Sequence, residues 1–315
     1  MQKFLLLVLL CFLVSCKQVQ NDKIAGDIKN TKTNKHIGIP GTRLYLVPPP
    51  QFKISSTFIG LQADSSVINI FDLVGDNFYT NARTFGRAEF ENRGVKVFDY
   101  REVKVNGYPA KYALIEGENQ TRSISFVFGD TTFSTMIMAT YPANNTVTEK
   151  QVITCLNSIY YDKQKKIDPF ETAHFSLNTT NSKFKFYQYN SNLYLYSVGG
   201  IDHEDTKSPI IVVTQMPFDG TMTTKDIADA MMAKGQQYGL TDLETKSIST
   251  DKVNGYDAYE MEIEGQMQGK DCALYLCVTA RENHAIVFEG VAKDSLRRNV
   301  QAFKDLSHTI EINSR

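Results

Sequence analysis

The sequence predicts an α+β protein of two tandem domains, each built from an antiparallel sheet with flanking helices. The main observation is a repeat. Lys-Val-Asn-Gly-Tyr-x-Ala occurs at 104–110 and again at 252–258, and Ile-Glu-Gly occurs at 115–117 and again at 263–265. These copies are 148 positions apart, which indicates duplication of a whole domain. Of the 315 residues, 42% are hydrophobic and 22% are charged, as expected for globular domains with cores of their own.

The repeated stretch has the pattern of a β-hairpin. Asn-Gly, at 106–107 and at 254–255, tolerates the two positive φ angles of a type I′ turn. Residues of high strand propensity flank both turns. This register predicts the cross-strand pairs Val105/Tyr108, Glu102/Lys111, Tyr100/Ala113 and Phe98/Ile115 in the first copy, and Lys252/Asp257 and Ile248/Met261 in the second.

The N-terminus has the pattern of a secretion signal over residues 1–15. A positive start with Lys3 precedes an apolar run at 4–14, which is shorter than the ~20 residues that span a bilayer. The ending Leu-Val-Ser-Cys at 13–16 resembles the lipobox of bacterial lipoproteins. That resemblance implies that Cys16 is acylated and that palmitate-type chains anchor the protein in the cell envelope, with Lys17 favouring the outer membrane. The alternative is an ordinary signal peptide that contains a cysteine.

Residues 16–40 are predicted to form a lipidated N-terminus and a flexible tether. The segment is polar, with few large apolar residues and five lysines between positions 17 and 35, so it has little surface to bury. Its lysines could instead contact anionic headgroups or polysaccharide. A first domain is predicted over 41–162, and a lysine-rich join leads to a second domain over 167–315.

The first domain is predicted to contain a strand pair, a helix, four strands and a closing helix. Thr148 and Gln151 form a capping-box pattern at the start of that closing helix. The predicted ranges are strands at 57–61 and 66–74, a helix at 76–93, strands at 95–105, 108–117, 122–128 and 133–141, and a helix at 148–160.

The second domain repeats this order with one insertion. Residues 174–185 echo 44–53 at an offset near 132, so about sixteen residues are added before the helix at 224–238. We place them between 187 and 221, as a longer hairpin whose exposed tip covers 199–205.

The two faces of the predicted sheets differ between the copies. One face is apolar in both copies and is expected to be the core face under the helices; it carries Tyr100, Ala113 and Ile115 in the first and Ile248, Met261 and Ile263 in the second. The other face carries Val103, Tyr112 and Leu114 in the first domain, against Asp251, Glu260, Glu262 and Glu264 in the second. The apolar set is expected to be covered by the N-terminal segment, the second domain or a partner. The acidic set is expected to form a stripe open to water.

This element order, the Asn-Gly-Tyr hairpin followed by Ile-Glu-Gly, and the closing helix resemble the PsbP-like family over both domains. That family includes extrinsic photosystem proteins, a nuclear Ran-binding protein and many bacterial lipoproteins. The resemblance implies a non-enzymatic binding or scaffold role, although a fold alone does not determine a function. No partner-binding residue is carried over.

The chemistry-bearing residues are few and scattered. Cys272 and Cys277 lie five positions apart in one predicted strand, so they point to opposite faces and cannot bridge each other. Cys155 lies on the buried side of a helix, which leaves three buried thiols or a disulfide between domains. No pair of histidines has zinc-ligand spacing; His203, beside Glu204 and Asp205, could hold a metal loosely. No catalytic motif, metal site or cofactor fingerprint is predicted.

Three hypotheses of function follow. The leading one is a membrane-anchored envelope lipoprotein that binds another envelope protein or acts as a scaffold. The second is a lipoprotein that binds a small molecule or a metal in the cleft between its domains. The third is an enzyme with an unrecognised site. A formal net charge of −1 gives no basic excess, so nucleic acid is not expected as a partner.

Overall fold

The computed structural model describes residues 23–203 and 208–313. Its first half contains β1 (Asp27–Ile28), β2 (Ile37–Gly38), β3 (Leu44–Leu46), β4 (Lys53–Ile54), β5 (Gly60–Ala63), β6 (Ser66–Val74), α1 (Phe78–Asn81), α2 (Arg87–Asn92), β7 (Val97–Val105), β8 (Tyr108–Glu116), β9 (Thr121–Gly129), β10 (Phe133–Pro142), α3 (Thr146–Asn157) and β11 (Tyr160–Tyr161). Its second half contains β12 (Phe175–Ser176), β13 (Phe184–Asn190), β14 (Leu193–Val198), β15 (Ile210–Pro217), α4 (Thr224–Gln237), β16 (Leu240–Ser249), β17 (Asp257–Met267), β18 (Lys270–Arg281), β19 (His284–Ala292), α5 (Leu296–Ser307) and β20 (Glu311–Ile312). Within these described residues, no helix is long and apolar enough to cross a bilayer.

The two halves repeat one sheet topology. Among the described residues, the first large sheet has the order β1-β7-β8-β9-β10-β6-β5-β4 and the second has β13-β14-β15-β19-β18-β17-β16. Read in opposite directions, these orders match strand for strand, except that β1 is added to the first sheet. The small pairs β3–β11 and β12–β20 also correspond. The predicted α+β fold with a tandem repeat is therefore confirmed, and the connection between β14 and β15 is longer than its counterpart between β5 and β6.

Both Asn-Gly turns have the predicted geometry. Asn106 and Gly107 have φ angles of 51° and 89°, and Asn254 and Gly255 have 49° and 84°. The predicted cross-strand pairs form around both turns, with one exception. Ile115 lies opposite Val97 because a β-bulge adds a residue to β7 at this point.

Two predicted helix boundaries are wrong. The single helix expected at 76–93 is divided into α1 and α2. Asn77 caps α1, and Gly86, in extended conformation, precedes α2. The closing helix starts two residues earlier than predicted, because the side chain of Asn145 accepts the Thr148 N–H at 3.0 Å. The cap is therefore Asn145 and not the Thr148 capping box.

Residues 23–40 do not have the flexible structure predicted for the tether. Ile24 and Ile28 are each only 2% exposed and belong to the main hydrophobic core of the first half. β1 pairs in parallel with Lys104 and Val105, next to the first Asn-Gly turn. Side chains of this polar segment also hydrogen-bond to the end of α3. A few well-placed isoleucines and a free strand edge are enough to order the segment.

In the first domain, the sheet face that carries Val103, Tyr112 and Leu114 is covered, as predicted. Val103, Tyr112 and Leu114 are 6%, 1% and 7% exposed, and they pack with α3 and with the N-terminal isoleucines. The opposite face packs against α1 and α2. The covering element is therefore the chain's own N-terminal segment together with α3.

The prediction of an open acidic stripe in the second domain is wrong at its centre. Glu260 is 4% exposed, because α5 crosses this face and brings hydrogen-bonding groups to the carboxylate. Glu262 and Glu264 are partly exposed and lie near Lys304 and Lys246. On the other face, Met261 and Ile263 are buried as predicted, but Ile248, on the edge strand β16, is 54% exposed.

Candidate functional site

A cleft of about 350 Å³ lies between the two halves of the chain. Its volume falls at the lower end of the range of ligand pockets, roughly 300–1,000 Å³. The first half supplies an apolar wall made of Pro40, Ile54, Phe58 and Ile59. The second half supplies a polar wall made of Glu171, Thr172, His174 and Gln215.

The apolar wall is held by the connection between β4 and β5. The hydroxyl of Ser55 accepts the N–H groups of Thr57 and Phe58 at 3.2 and 3.3 Å and donates to Gln62 Oε1 at 2.8 Å. Gly60, with a φ of +148°, allows close backbone approach, since a Cβ there would meet the Ile68 carbonyl oxygen at 1.9 Å. Local sequence therefore fixes the backbone that carries Phe58.

The polar wall depends on Gln215, which is 6% exposed on β15. Its Oε1 accepts the backbone N–H of His174 at 2.7 Å, and its Nε2 donates to the Thr172 carbonyl at 2.7 Å. Asn192 Nδ2 donates to the Gln215 carbonyl at 2.7 Å. One buried amide thus ties the segment that precedes β12 to the second sheet.

Two contacts join the two halves at the cleft, and a ring stack within the second half positions the histidine of one of them. The Gly41 N–H donates to Glu171 Oε2 at 3.1 Å. His284 Nε2 lies 3.2 Å from the Ser56 carbonyl oxygen, and its ring stacks on His174 with a centroid distance of 3.8 Å and an interplanar angle of 21°. Gly41 has a φ of +70°, and a Cβ there would approach the Tyr189 hydroxyl to 2.9 Å, so only glycine fits this crossing without strain.

The cleft is suited to binding. Its apolar wall offers surface for an apolar group, and its polar wall offers hydrogen-bonding groups and the carboxylate of Glu171. The hydroxyl of Ser55 is engaged with Gln62, and His284 contacts a backbone carbonyl. These partners leave the serine and the histidine in structural roles and not in a nucleophile–base pair.

A buried ion pair supports the first half near the cleft. Asp72 Oδ2 accepts from the Arg43 backbone N–H and Nε at 2.8 and 3.0 Å, and Oδ1 accepts from Arg43 Nη2, Thr135 Oγ1 and Tyr161 OH at 2.9, 3.1 and 2.9 Å. Burial opposes the charge of Arg43, but hydrogen bonding and attraction from Asp72 raise its pKa overall. Burial, together with the charge of Asp72, raises the pKa of Tyr161. The Asp72 carboxylate is hydrogen-bonded by groups within this cluster, which indicates a structural role.

A second buried cluster surrounds Glu260 in the second half. Tyr275 OH donates to Glu260 Oε2, and His308 Nε2 lies 2.9 Å from the same oxygen. Tyr275 also contacts Ser307 Oγ at 2.7 Å. Burial raises the pKa of Tyr275 and raises that of the nearby Cys277 to about 12. The cluster joins β17, β18 and the end of α5, so it also stabilises the fold.

The sequence-predicted chemical residues have the following locations. Cys16 lies outside the described residues, as do Glu204 and Asp205. Cys155, Cys272 and Cys277 are buried free thiols, and the last two lie on opposite faces of β18, as predicted. His203 Nε2 lies 2.8 Å from the Val198 carbonyl oxygen. No group of three or more metal-ligating side chains occurs within residues 23–203 and 208–313.

Sequence reasoning identified no residue of the cleft as a functional residue. The cleft's two walls are separated by more than 100 positions in the chain. No local motif could therefore have linked Pro40 or Phe58 to Gln215.

Comparison with family models and with curated protein sequences finds no match. Among known structures, a Bacteroides thetaiotaomicron protein matches at 13% identity and a TM-score of 0.32, over 45% of this chain and 46% of its own. A cyanobacterial PsbP from Synechocystis sp. PCC 6803 matches at 12% identity and a TM-score of 0.29, over 48% of this chain and 99% of its own. The T6SS immunity protein TplEi of Pseudomonas aeruginosa matches at 8% identity and a TM-score of 0.33, over 89% of this chain and 98% of its own.

This chain thus spans about half the length of the Bacteroides protein. A PsbP structure is among the matches, as the sequence resemblance predicted. At these identities and TM-scores the matches transfer no ligand, partner or activity to this chain.

Proposed function

We propose that this chain is a non-enzymatic binding module of the bacterial cell envelope, anchored through acyl chains on Cys16, which binds another envelope protein at its interdomain cleft. The observation that carries the binding proposal is the cleft itself, where an apolar wall from one half faces a hydrogen-bonding wall from the other. Ile54, on the rim, is 45% exposed and extends the apolar surface beyond the cavity. A protruding segment of a partner would cover this rim.

The anchoring part of the proposal is supported by the leader at 1–15 and the Leu-Val-Ser-Cys ending. Metabolic labelling with a fatty-acid probe is expected to mark the wild-type protein. Cys16→Ala is expected to abolish labelling and to release the protein from the membrane fraction. Equal labelling of both proteins would refute acylation at Cys16.

The cleft is tested by the variant Ile54→Arg, which places a long charged side chain at its rim. Because Ile54 is exposed, the substitution should leave the melting temperature nearly unchanged. Ile248→Arg is the matched control, since Ile248 is 54% exposed on β16, outside the cleft. A photo-crosslinker at position 54, but not at 248, is expected to capture a partner in envelopes. Ile54→Arg should then weaken binding of that purified partner, and equal binding by both variants would refute the cleft as the site.

A second candidate function is the binding of a small molecule, favoured by the volume and mixed lining of the cleft. Native mass spectrometry of the protein purified from its own envelope distinguishes the two. A stoichiometric small-molecule adduct that Ile54→Arg removes would support this candidate, whereas crosslinking to a protein supports the first.

A further inference from the structure

A small three-stranded sheet at one side of the first domain presents tyrosines on its outer face. Its order is β11-β3-β2, and Tyr45 on β3 lies between Tyr160 and Gly38 in the pairing register. The rings of Tyr45 and Tyr160 have a centroid distance of 6.0 Å. Both residues are only partly buried, so part of each tyrosine is accessible at the surface.

Two lysines lie over the Tyr45 ring, and a third lies beyond the end of its strand. Lys32 Nζ lies 3.8 Å and Lys165 Nζ lies 5.2 Å from the centroid of the Tyr45 ring. The exposed Lys35 lines a small cavity together with Val47, just beyond β3. Tyr45, Tyr160, Lys32, Lys35 and Lys165 are called the lysine surface below. This surface contains lysine side chains in cation–π contact with a tyrosine ring, and tyrosine rings that are amphipathic.

The described chain begins on the same side of the domain. The carbonyl oxygen of Lys23 accepts from Asn157 Nδ2 at 3.0 Å, and the Ala25 N–H donates to Asn157 Oδ1 at 2.8 Å. Asn157 precedes Tyr160 by three positions. Six residues, 17–22, separate Lys23 from Cys16, and six residues extend over at most ~20 Å. A lipid on Cys16 would therefore keep this side of the domain close to the bilayer.

The side of the first domain where the described chain begins carries an excess of positive charge, which suits an anionic bilayer. Residues 23–40 contain four lysines and one aspartate. The aspartate, Asp27, pairs with Lys29 at 2.7 Å, and the whole chain is close to neutral, with a net charge of −1. The positive charge is thus a local feature of this segment and of its neighbour Lys165.

We propose that the lysine surface lies against the anionic headgroups of the bilayer that holds the lipid of Cys16. This inference rests on the acylation proposed above and adds an orientation to it. Lysines close to an anionic membrane attract it within a Debye length, and tyrosines favour the headgroup level. The acyl chains hold the protein at the membrane, while the lysine surface fixes which side of the first domain faces it.

The test uses the mature chain with Cys16→Ser, so that acylation plays no part. Its binding to phosphatidylcholine vesicles, with and without phosphatidylglycerol, is measured by co-sedimentation at low and high salt. Binding is expected only with phosphatidylglycerol and at low salt. The triple variant Lys32→Gln/Lys35→Gln/Lys165→Gln should bind about 100-fold more weakly, from about fivefold per lysine.

The matched control is Lys225→Gln/Lys252→Gln/Lys270→Gln, which changes the net charge equally with exposed lysines of the second half. It should bind as the unsubstituted chain does. Because Lys165 Nζ also donates to the Thr42 carbonyl at 2.7 Å, the single variant Lys35→Gln, expected to bind about fivefold more weakly, reports on the surface without that contact.

Three results would overturn the proposal. The two triple variants could bind vesicles equally weakly, binding could be the same with and without phosphatidylglycerol, or the protein could bind a soluble anionic polysaccharide as tightly as it binds the vesicles. Fatty-acid labelling of the wild type is scored separately. If the wild type is not labelled but the Cys16→Ser chain binds vesicles as expected, only the proposed acylation is refuted. If the wild type is labelled but vesicle binding is not specific, only the proposed orientation is refuted.

Discussion

Asp72→Ala is expected to be among the most damaging single substitutions in the first domain. The Asp72 side chain is 0% exposed and that of Arg43 is 8% exposed. The carboxylate accepts five hydrogen bonds, from Arg43, Thr135 and Tyr161. Its removal leaves the guanidinium buried without a counter-charge, so we expect the free energy of unfolding to fall by about 3–5 kcal/mol.

The coupling between the two charges can be measured directly. Arg43→Met alone leaves Asp72 with three of its five hydrogen bonds, those from the residue 43 backbone, Thr135 and Tyr161, and should be destabilising. In the Asp72→Ala background the same Arg43→Met change should be stabilising, because it removes an unpaired buried charge. The chain contains no tryptophan, so urea unfolding is followed by circular dichroism.

A surface pair in the same domain is the control. Asp99 and Arg101 are 2.9 Å apart, with side chains 34% and 33% exposed, and Asp99→Ala should cost only about 0–1 kcal/mol. A loss of less than about 1 kcal/mol for Asp72→Ala, or an Arg43→Met effect of the same sign in both backgrounds, would refute the reasoning.

Three further predictions concern other parts of the chain. Glu260→Ala should cost about 3 kcal/mol because it removes the carboxylate that accepts from the buried Tyr275 hydroxyl, whereas His308→Ala, where the side chain is 42% exposed, should cost about 1 kcal/mol in urea unfolding. Burial raises the pKa of Cys277 from its ordinary 9.0 to about 12. Its stabilising contribution is therefore present below pH 9 and is lost as the pH rises towards 12, and maleimide labelling should require unfolding. Residues 23–162 expressed alone should unfold cooperatively, and residues 37–162 should be less stable by about 3 kcal/mol, because two buried isoleucines are lost; equal stability would contradict the packed N-terminal segment.

Local sequence rules were enough for much of the architecture. The Asn-Gly turns set two hairpins because only a few residues accept the required φ angles, and the repeat then transferred the strand order from one half to the other. The changing offset between the halves placed the longer connection between β14 and β15 correctly. These features depend on neighbours in the chain and on an internal comparison, both of which one sequence contains.

The errors at the helix boundaries and at one β-bulge have local causes, whereas the errors at Glu260 and in the cleft concern contacts between distant residues. The alternation of the strand predicts that Glu260 faces water, but His308, which is 48 positions away in the sequence, contacts its carboxylate. The bulge at Val97 shifts the pairing of Ile115 without any glycine or proline to mark it. A cleft between the domains was expected, but its lining residues could not be predicted, since Pro40 and Gln215 are far apart in the chain and line one cavity only in the folded protein.

The segment that the sequence described as a tether connects the proposed anchor to the proposed binding site. It starts at Lys23 beside Asn157, passes the lysine surface, and ends at Pro40, which lines the cleft. The next residue, Gly41, donates its N–H to Glu171 across the cleft. Since Ile24 and Ile28 are buried along the way, this path is packed against the first domain. A bilayer contact that displaced the segment would therefore also move one wall of the cleft, which gives membrane orientation and ligand binding a shared structural element.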